Sequence, residues 1–402
     1  MKHEHIIAFR LAQVWALTKL AVAYIIALFY RRKRIWLVTE RGIDARDNGY
    51  WFFRYMKEHQ PDVEVYYVIS KDSVDRKRLA DYESSLIDYC SMAHYILLWR
   101  ASVLISAHMQ GYFPFTGLGL WLRKICPAYR AKCHVNLKHG ILKDKLSFMY
   151  YSNTGLDLLV AGIAPEYEFA ISAHGYPREA VQLTGFCRFD GLINSANGKQ
   201  ILLMPTWREW LYKEEDFVRS EYAQKYSSLL CNKQLYALLE QYDMRLVFYP
   251  HHEVQKHIAW FMQFGNDRIV IANQKEYDVQ QLLRQSDVLI TDYSSVYFDF
   301  AYMRKPIIYY LFDYERYRSE HYAAGWYDYF NGLGSVAATE AECVDLISAI
   351  LKEHCQMPEI YRKRAEHMFQ YADSNNCKRV YEAVCEVEKR KIQYRECTRY
   401  PS

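Results

Sequence analysis

Beyond residue 34 the chain alternates short, continuous apolar runs with longer stretches of helical spacing. The apolar runs are Ile35 to Thr39, Val63 to Ile69, Ser102 to Ser106 and Asp157 to Ala161, with amphipathic pieces such as Gly49 to His59 between them. Runs of this length, apolar at every position and not at alternate ones, predict strands covered on both faces, as in a parallel sheet. Strand and helix in alternation predict a doubly wound α/β domain over residues 35–193. Asn194 to Lys199 is small and polar and reads as a linker. A second series follows over residues 199–372: strands at Ile201 to Met204, Arg245 to Tyr249, Arg268 to Ile271, Val288 to Thr291 and Pro306 to Tyr310, with helices at Ser227 to Tyr242 and Asp278 to Gln285. The tail reads as helices from Glu340 to Arg390, interrupted near Asp373, with residues 373–402 set apart as a carboxyl-terminal helical tail.

The first 34 residues follow another pattern. Leu20 to Tyr30 is wholly apolar but only 11 residues long, against the ~20 that a helix needs to cross a bilayer. Extending it back to Ile6 takes in Arg10, Gln13 and Lys19, which are costly in hydrocarbon. Arg31 to Arg34 follow at once, a basic cluster suited to anionic headgroups on a cytoplasmic leaflet. This predicts a monotopic, membrane-associating helix over residues 1–34, on the cytoplasmic face of the membrane. A poor spanning helix and a helix docked on the protein's own core are the other readings. The stretch lacks the small-residue cleavage site of a signal peptide.

With 402 residues, 51% of them hydrophobic, the chain has ample material for two cores. A net charge of +4 from 51 basic and 47 acidic side chains argues against bulk nucleic-acid binding. The ten cysteines form no CxxC pair or regular framework and read as reduced. Cys126 and Cys133 near His134 match no zinc spacing, and no resident metal or cofactor is expected.

Ligands of open parallel sheets collect beyond the carboxyl ends of strands, so two such domains facing each other predict a site in the cleft between them. Four segments sit at predicted strand ends. In Thr291-Asp-Tyr-Ser-Ser295, Ser294 and Ser295 fall at a helix amino terminus, where free N–H groups attract an anion, although serine is also an ordinary N-cap. In Met204-Pro-Thr-Trp-Arg208, Arg208 offers a planar fork suited to phosphate, or to a surface ion pair. His251 and His252 follow Tyr249-Pro250, and a lone histidine there is equally a structural residue. In Asn136-Leu-Lys-His-Gly140, His139 titrates near neutrality and so can accept a proton, while Gly140 permits an unusual turn.

Taken together these segments resemble the CDP-glycerol glycerophosphotransferase family, the teichoic-acid primases and polymerases and their capsule-polymer relatives. The resemblance runs through Glu40 to Tyr50, Lys138-His-Gly140, Leu183 to Asp190, Pro205-Thr-Trp-Arg208, Pro250-His251, Asp287 to Ala301 with Lys305-Pro306, Tyr322 to Asp328 and Asp373 to Val380. It implies a GT-B-like fold of two Rossmann-like domains facing across a cleft, with the second holding a CDP-activated donor. It also implies transfer of glycerol phosphate or a related alditol phosphate to a hydroxyl of a lipid-linked or polymeric acceptor, with release of CMP. By position, His139 matches the family's general base and His251 its second functional histidine, the partner of the pyrophosphate leaving group. Arg208, Ser294 and Ser295 match donor-phosphate positions, Thr206 and Asp292 lie in the same shells, and Arg379 reaches for the donor phosphate.

The chain also departs from the family pattern. Ile141 stands where relatives carry threonine after His-Gly, and His252 where several have proline. Ser374 and Cys377 replace the glycine and serine of the terminal motif, which leaves the turn there open. A nucleotide-sugar glycosyltransferase of the same fold and an inactive membrane-bound scaffold are the alternatives. The alditol, the acceptor and the oligomeric state are not legible from these residues.

Overall fold

The computed structural model describes residues 2–31, 33–212, 217–321 and 323–399, so Arg32 of the basic cluster and Tyr322 lie outside the described residues. Two compact units emerge. The first comprises residues 1–141, 147–191 and 373–402, and the second residues 142–146 and 192–372. The amino-terminal helix and the carboxyl-terminal tail, expected as separate pieces, both belong to the first unit.

The first unit is built on seven parallel strands: β1 (Ile35–Thr39), β2 (Glu64–Val68), β3 (Leu86–Ile87), β4 (Val103–Ser106), β5 (Cys133–Asn136), β6 (Leu158–Ala161) and β7 (Val181–Leu183). Their spatial order is β3-β2-β1-β4-β5-β6-β7. Every residue of β1, β4, β5 and β6 is buried, and β1, β4 and β6 accordingly carry no polar alternation. The strand β5 escaped the sequence reading because Cys133-His-Val-Asn136 has polar side chains at two of its four positions. Both polar side chains are satisfied inside the unit: Tyr112 Oη sits 2.8 Å from His134 Nδ1, His134 Nε2 reaches the Tyr129 carbonyl at 3.1 Å, and Asn136 Oδ1 accepts from the Lys138 N–H.

The helix Asn376–Arg399 closes this unit. Its start is held by Asp190, which accepts from the Asn376 and Cys377 N–H groups at 2.9 and 2.8 Å. Farther along, Glu388 takes hydrogen bonds from Arg34, Trp36 and Ser102. Gly185 (φ +77°) lies beside this junction, where a Cβ would stand 1.9 Å from Asn376 Oδ1, so a side chain is excluded there. Ser374 adopts φ +56°, so the terminal turn keeps its left-handed position with serine in glycine's place.

The amino-terminal helix runs over Lys2–Leu28, longer than its apolar run suggested. Ala16, Leu20 and Ala23, spaced four and three apart, are buried on one face and belong to one core cluster with Tyr95 and Leu98 of the helix Met92–Arg100. Trp99 Nε1 donates to the Leu20 carbonyl at 2.8 Å. The other face leaves Leu11, Val14, Trp15, Ile25 and Leu28 exposed. Phe9–Leu28 is long and apolar enough to cross a membrane.

The second unit carries six parallel strands, β8 (Gln200–Met204), β9 (Arg245–Phe248), β10 (Ile269–Ile271), β11 (Val288–Thr291), β12 (Ile307–Tyr310) and β13 (Ser335–Ala337), ordered β10-β9-β8-β11-β12-β13. The predicted helix Ser227 to Tyr242 is two helices, Glu221–Leu230 and Lys233–Gln241, because Asn232 caps the second by accepting from the Leu235 N–H. The linker is tied to this unit: Asp287 accepts from the N–H groups of Gly198, Lys199 and Gln200 at 2.8, 2.9 and 3.1 Å.

Candidate functional site

In each sheet the strand order reverses once, between β1 and β4 and between β8 and β11. Such switch points leave a crevice beyond the carboxyl ends of the two strands. The loops that leave these ends and the ends of their neighbours carry the residues singled out from sequence, apart from Arg379 on the terminal helix.

In the second unit β8 runs into Pro205-Thr-Trp-Arg208 and β11 into Asp292-Tyr-Ser-Ser295, while β9, next to β8, runs into Pro250-His251. Arg208 is 0% exposed. Its Nε and Nη2 donate to the two carboxylate oxygens of Asp313 at 2.7 and 3.1 Å, and its Nη1 to Asp292 at 2.8 Å and to the Thr206 carbonyl at 2.7 Å. Tyr293, Tyr222 and Tyr317 lie 4.7, 5.4 and 5.4 Å from the guanidinium carbon. Burial works against the charged form, but Asp292 and Asp313 overcome it and hold Arg208 firmly protonated. Asp292 is also sealed, accepting from the Thr206 and Tyr293 N–H groups and from the Tyr226 hydroxyl. The expectation that Arg208 and Asp292 lie directly against the donor phosphate is therefore revised. They form a buried cluster in which one guanidinium is shared by two carboxylates, Asp292 and Asp313, and ties together the loops after β8, β11 and β12.

What those loops present is different. Ser294 and Ser295 are half-buried, and Ser295 makes no capping hydrogen bond to the short helix Val296–Tyr302 that follows. Thr206 Oγ1 is buried, with no hydrogen-bond partner among the described residues. His251 is half-buried, and its Nδ1 accepts from the Glu253 N–H at 3.3 Å, which leaves the ring proton on Nε2. Desolvation first, then the neighbouring His252, push this imidazole down to about 4, so it is neutral and Nε2 is a donor at cellular pH. Asp313, Tyr226, Tyr293 and Tyr317, which complete the cluster, were not picked out by sequence. Asp313 follows β12, another strand-end loop, and that position was the available signal.

In the first unit His139 lies just past β5 and is exposed. Its ring stacks on His108, which follows β4, with centroids 4.5 Å apart and planes within 14°. The stacked His108 ring removes water from one face of the imidazole, and the nearby cations Lys138, Arg188 and Arg41 add positive potential, so both effects hold His139 well below the ordinary histidine range. His108 is lowered to about 4, by desolvation first and then by Arg41. Both imidazoles are thus neutral, with a lone pair free to accept a proton, in a field that favours a nearby anion but makes each ring a weaker base than free histidine.

The backbone before His139 is set by side chains. Lys138 takes the left-handed conformation (φ +63°), which falls there and not on Gly140, and its N–H donates to Asn136 Oδ1 at 2.7 Å. Asn48, fully buried at the start of the helix Asn48–His59, donates from Nδ2 to the carbonyls of Lys138 (2.7 Å) and Leu137 (3.3 Å). Its Oδ1 accepts from the Arg188 N–H at 2.9 Å, and Arg188 Nη1 reaches Asp47 at 3.0 Å. His108, Asn48 and Arg188 were not identified from sequence. Arg379, expected among the donor ligands, sits in the first unit on the terminal helix. Its guanidinium bonds the Thr184 carbonyl, both oxygens of Asp373 and Asn376 Oδ1, so it locks the terminal turn within the first unit.

The chain is similar to known proteins over most of its length. The minor teichoic acid biosynthesis protein GgaB of Bacillus subtilis (strain 168) is 32% identical over 379 residues, which are 90% of this chain and 41% of that protein. A teichoic acid poly(glycerol phosphate) polymerase of the same organism is 24% identical over 82% of this chain and 45% of its own length. The chain thus spans less than half the length of these relatives. Among solved structures, a variant of the wall teichoic acid polymerase TagF superposes with a TM-score of 0.68 at 16% identity, covering 98% of this chain and 99% of that one. UDP-GlcNAc 2-epimerase from Neisseria meningitidis follows at 0.52, with 11% identity over 88% of this chain and 99% of the epimerase. Both likenesses are of fold, the paired Rossmann-like units of GT-B enzymes. The model of CDP-glycerol:poly(glycerophosphate) glycerophosphotransferases matches residues 20–386, through every strand of both sheets, and the chain belongs to that family.

Proposed function

We propose that the protein transfers glycerol phosphate, or a related alditol phosphate, from a CDP-activated donor to a hydroxyl of a lipid-linked or polymeric acceptor in teichoic-acid or capsular-polymer synthesis. The observation that carries this reading is the family match, which runs unbroken through both polar switch points. His139 takes the proton of the acceptor hydroxyl as its oxygen attacks the distal phosphorus of the donor. The bond from that phosphorus to the bridging oxygen breaks, and CMP departs with the electron pair. Thr206, Ser294 and Ser295 donate to the diphosphate, and His251 Nε2 donates toward the oxygen that becomes part of CMP. Such transfers depend mainly on positioning and on fixed donors aimed at the developing charge. The buried Arg208 cluster and Arg379 act through structure, and no resident metal is invoked.

The helix Lys2–Leu28, docked along one face and apolar along the other, is read as lying in the membrane interface, which would place the chemistry on the cytoplasmic surface beside a lipid-linked acceptor. Incubation with a panel of CDP-alditols and an acceptor tests the reading. CMP and a new phosphodiester are expected. A nucleoside diphosphate with a glycosidic bond would assign a glycosyltransferase, and no nucleotide binding at all would leave a scaffold.

A further inference from the structure

Beneath the end of the amino-terminal helix lies a cavity of about 590 Å³, lined among others by Tyr30, Arg31, Lys33, Trp99, Arg100 and Lys132. Its floor includes Ala101 and Ser102, which precede β4, and Lys132, which precedes β5. The cavity therefore opens at the amino ends of the strands whose carboxyl ends lead to His108 and His139, and it is not the site described above.

Its chemistry is one-sided. Among the described residues that line it, four are basic and none is acidic. The nearby carboxylates are already engaged, Glu64 by Lys33 and Tyr66, and Glu388 by Arg34, Trp36 and Ser102. Lys132 is committed to the carbonyls of Trp99 and Ala101. Arg31 is exposed at the mouth. Arg100 stacks under the Tyr30 ring at 4.3 Å, and its Nε is buried with no hydrogen-bond partner among the described residues. A buried guanidinium N–H without an acceptor is costly, and an anion entering the cavity would supply one. The rim is the opposite in character: Leu28, Tyr30 and Ile392 of its lining expose large apolar surfaces, and Ile25 and Phe29, close by in the chain, are exposed as well. A basic recess bordered by apolar and aromatic side chains fits an amphiphile with an anionic head, and Tyr and Trp favour that interfacial depth.

We propose that this cavity holds the phosphodiester headgroup of an anionic phospholipid, with Arg31 and Arg100 on the phosphate and the acyl chains along the exposed face of the helix. The inference rests on the interfacial reading of that helix and adds a stoichiometric headgroup site to it. The test is sedimentation of the full-length protein with vesicles of phosphatidylcholine alone and with vesicles that also contain phosphatidylglycerol. Wild type should bind both and prefer the anionic ones. Arg31→Ala and Arg100→Ala should each weaken binding to the anionic vesicles roughly fivefold, while binding to phosphatidylcholine is kept. Lys124→Ala removes an equal charge from an exposed neighbour outside the cavity, and it should cost less than Arg100→Ala. A loss for Arg100→Ala no greater than for Lys124→Ala would reduce the cavity to a diffuse basic surface and overturn the proposal. So would displacement by soluble glycerol phosphate, which would mark a site for a free phosphate. If Arg100→Ala does not fold, the exposed Arg31→Ala carries the comparison alone. Failure of wild type to bind either vesicle would instead remove the interfacial reading itself.

Discussion

Arg208 shows how a residue type suggests a chemistry that its surroundings redirect. The fork of a guanidinium after a strand end reads as a phosphate ligand, yet the structure spends all of it on Asp292, Asp313 and the Thr206 carbonyl. What sequence could not show is Asp313, more than a hundred residues away, whose carboxylate turns a surface donor into a buried one. Arg208→Ala leaves two carboxylates buried without their cation and should cost about 3–5 kcal/mol in urea unfolding. His139 and His251, in contrast, sit at the strand ends where their motifs placed them. His139 must be neutral to accept a proton, and its surroundings lower its pKa, so it stays neutral as the pH falls through 6.5. The acid limb of kcat/KM should therefore lie below pH 6.5, measured with a donor that is a fully ionised diester throughout that range. A limb centred above that value would show a different base or a different field.

At the scale of elements, the long central strands were legible because burial on both faces leaves an unbroken apolar run, and Val288–Thr291 falls where its sequence put it. Strands β3, β7 and β13 are two or three residues long and sit at sheet edges, too short to leave a pattern. The turn that aims His139 was hidden for another reason: its left-handed residue is a lysine, held by Asn136 and by Asn48 from a distant helix. Asn48 is accordingly a positioning residue. Asn48→Ala strands two buried carbonyls and the Arg188 N–H, which costs roughly 1–3 kcal/mol locally and should lower kcat about ten- to a hundredfold with the donor affinity kept. A purely structural role would weaken unfolding stability and leave the kcat of the remaining folded enzyme intact.

At the scale of the whole molecule, the alternation of strand and helix announced two doubly wound units, and the polar stretch after residue 193 marked the passage between them within a few residues. Periodicity alone could not reveal that the last thirty residues return to the first unit. That return depends on single polar contacts, Asp190 with the Asn376 and Cys377 N–H groups, Glu388 with Trp36, and Lys391 with Asp157. Truncation after Ala372 should therefore unfold the first unit, seen as loss of the protection of β1 and β5 in hydrogen exchange, while the second unit's strands stay protected. Under the proposed function the first unit supplies a proton acceptor, His139, and the second the diphosphate donors Thr206, Ser294 and Ser295.

The most direct test of that division of labour is to measure CMP release from CDP-glycerol and equilibrium binding of CDP-glycerol on purified His139→Ala. Release should fall by about 10²–10⁴-fold, the range of a lost general base, with donor affinity unchanged. Undiminished release, or a loss of donor affinity as large as the loss of rate, would contradict the account.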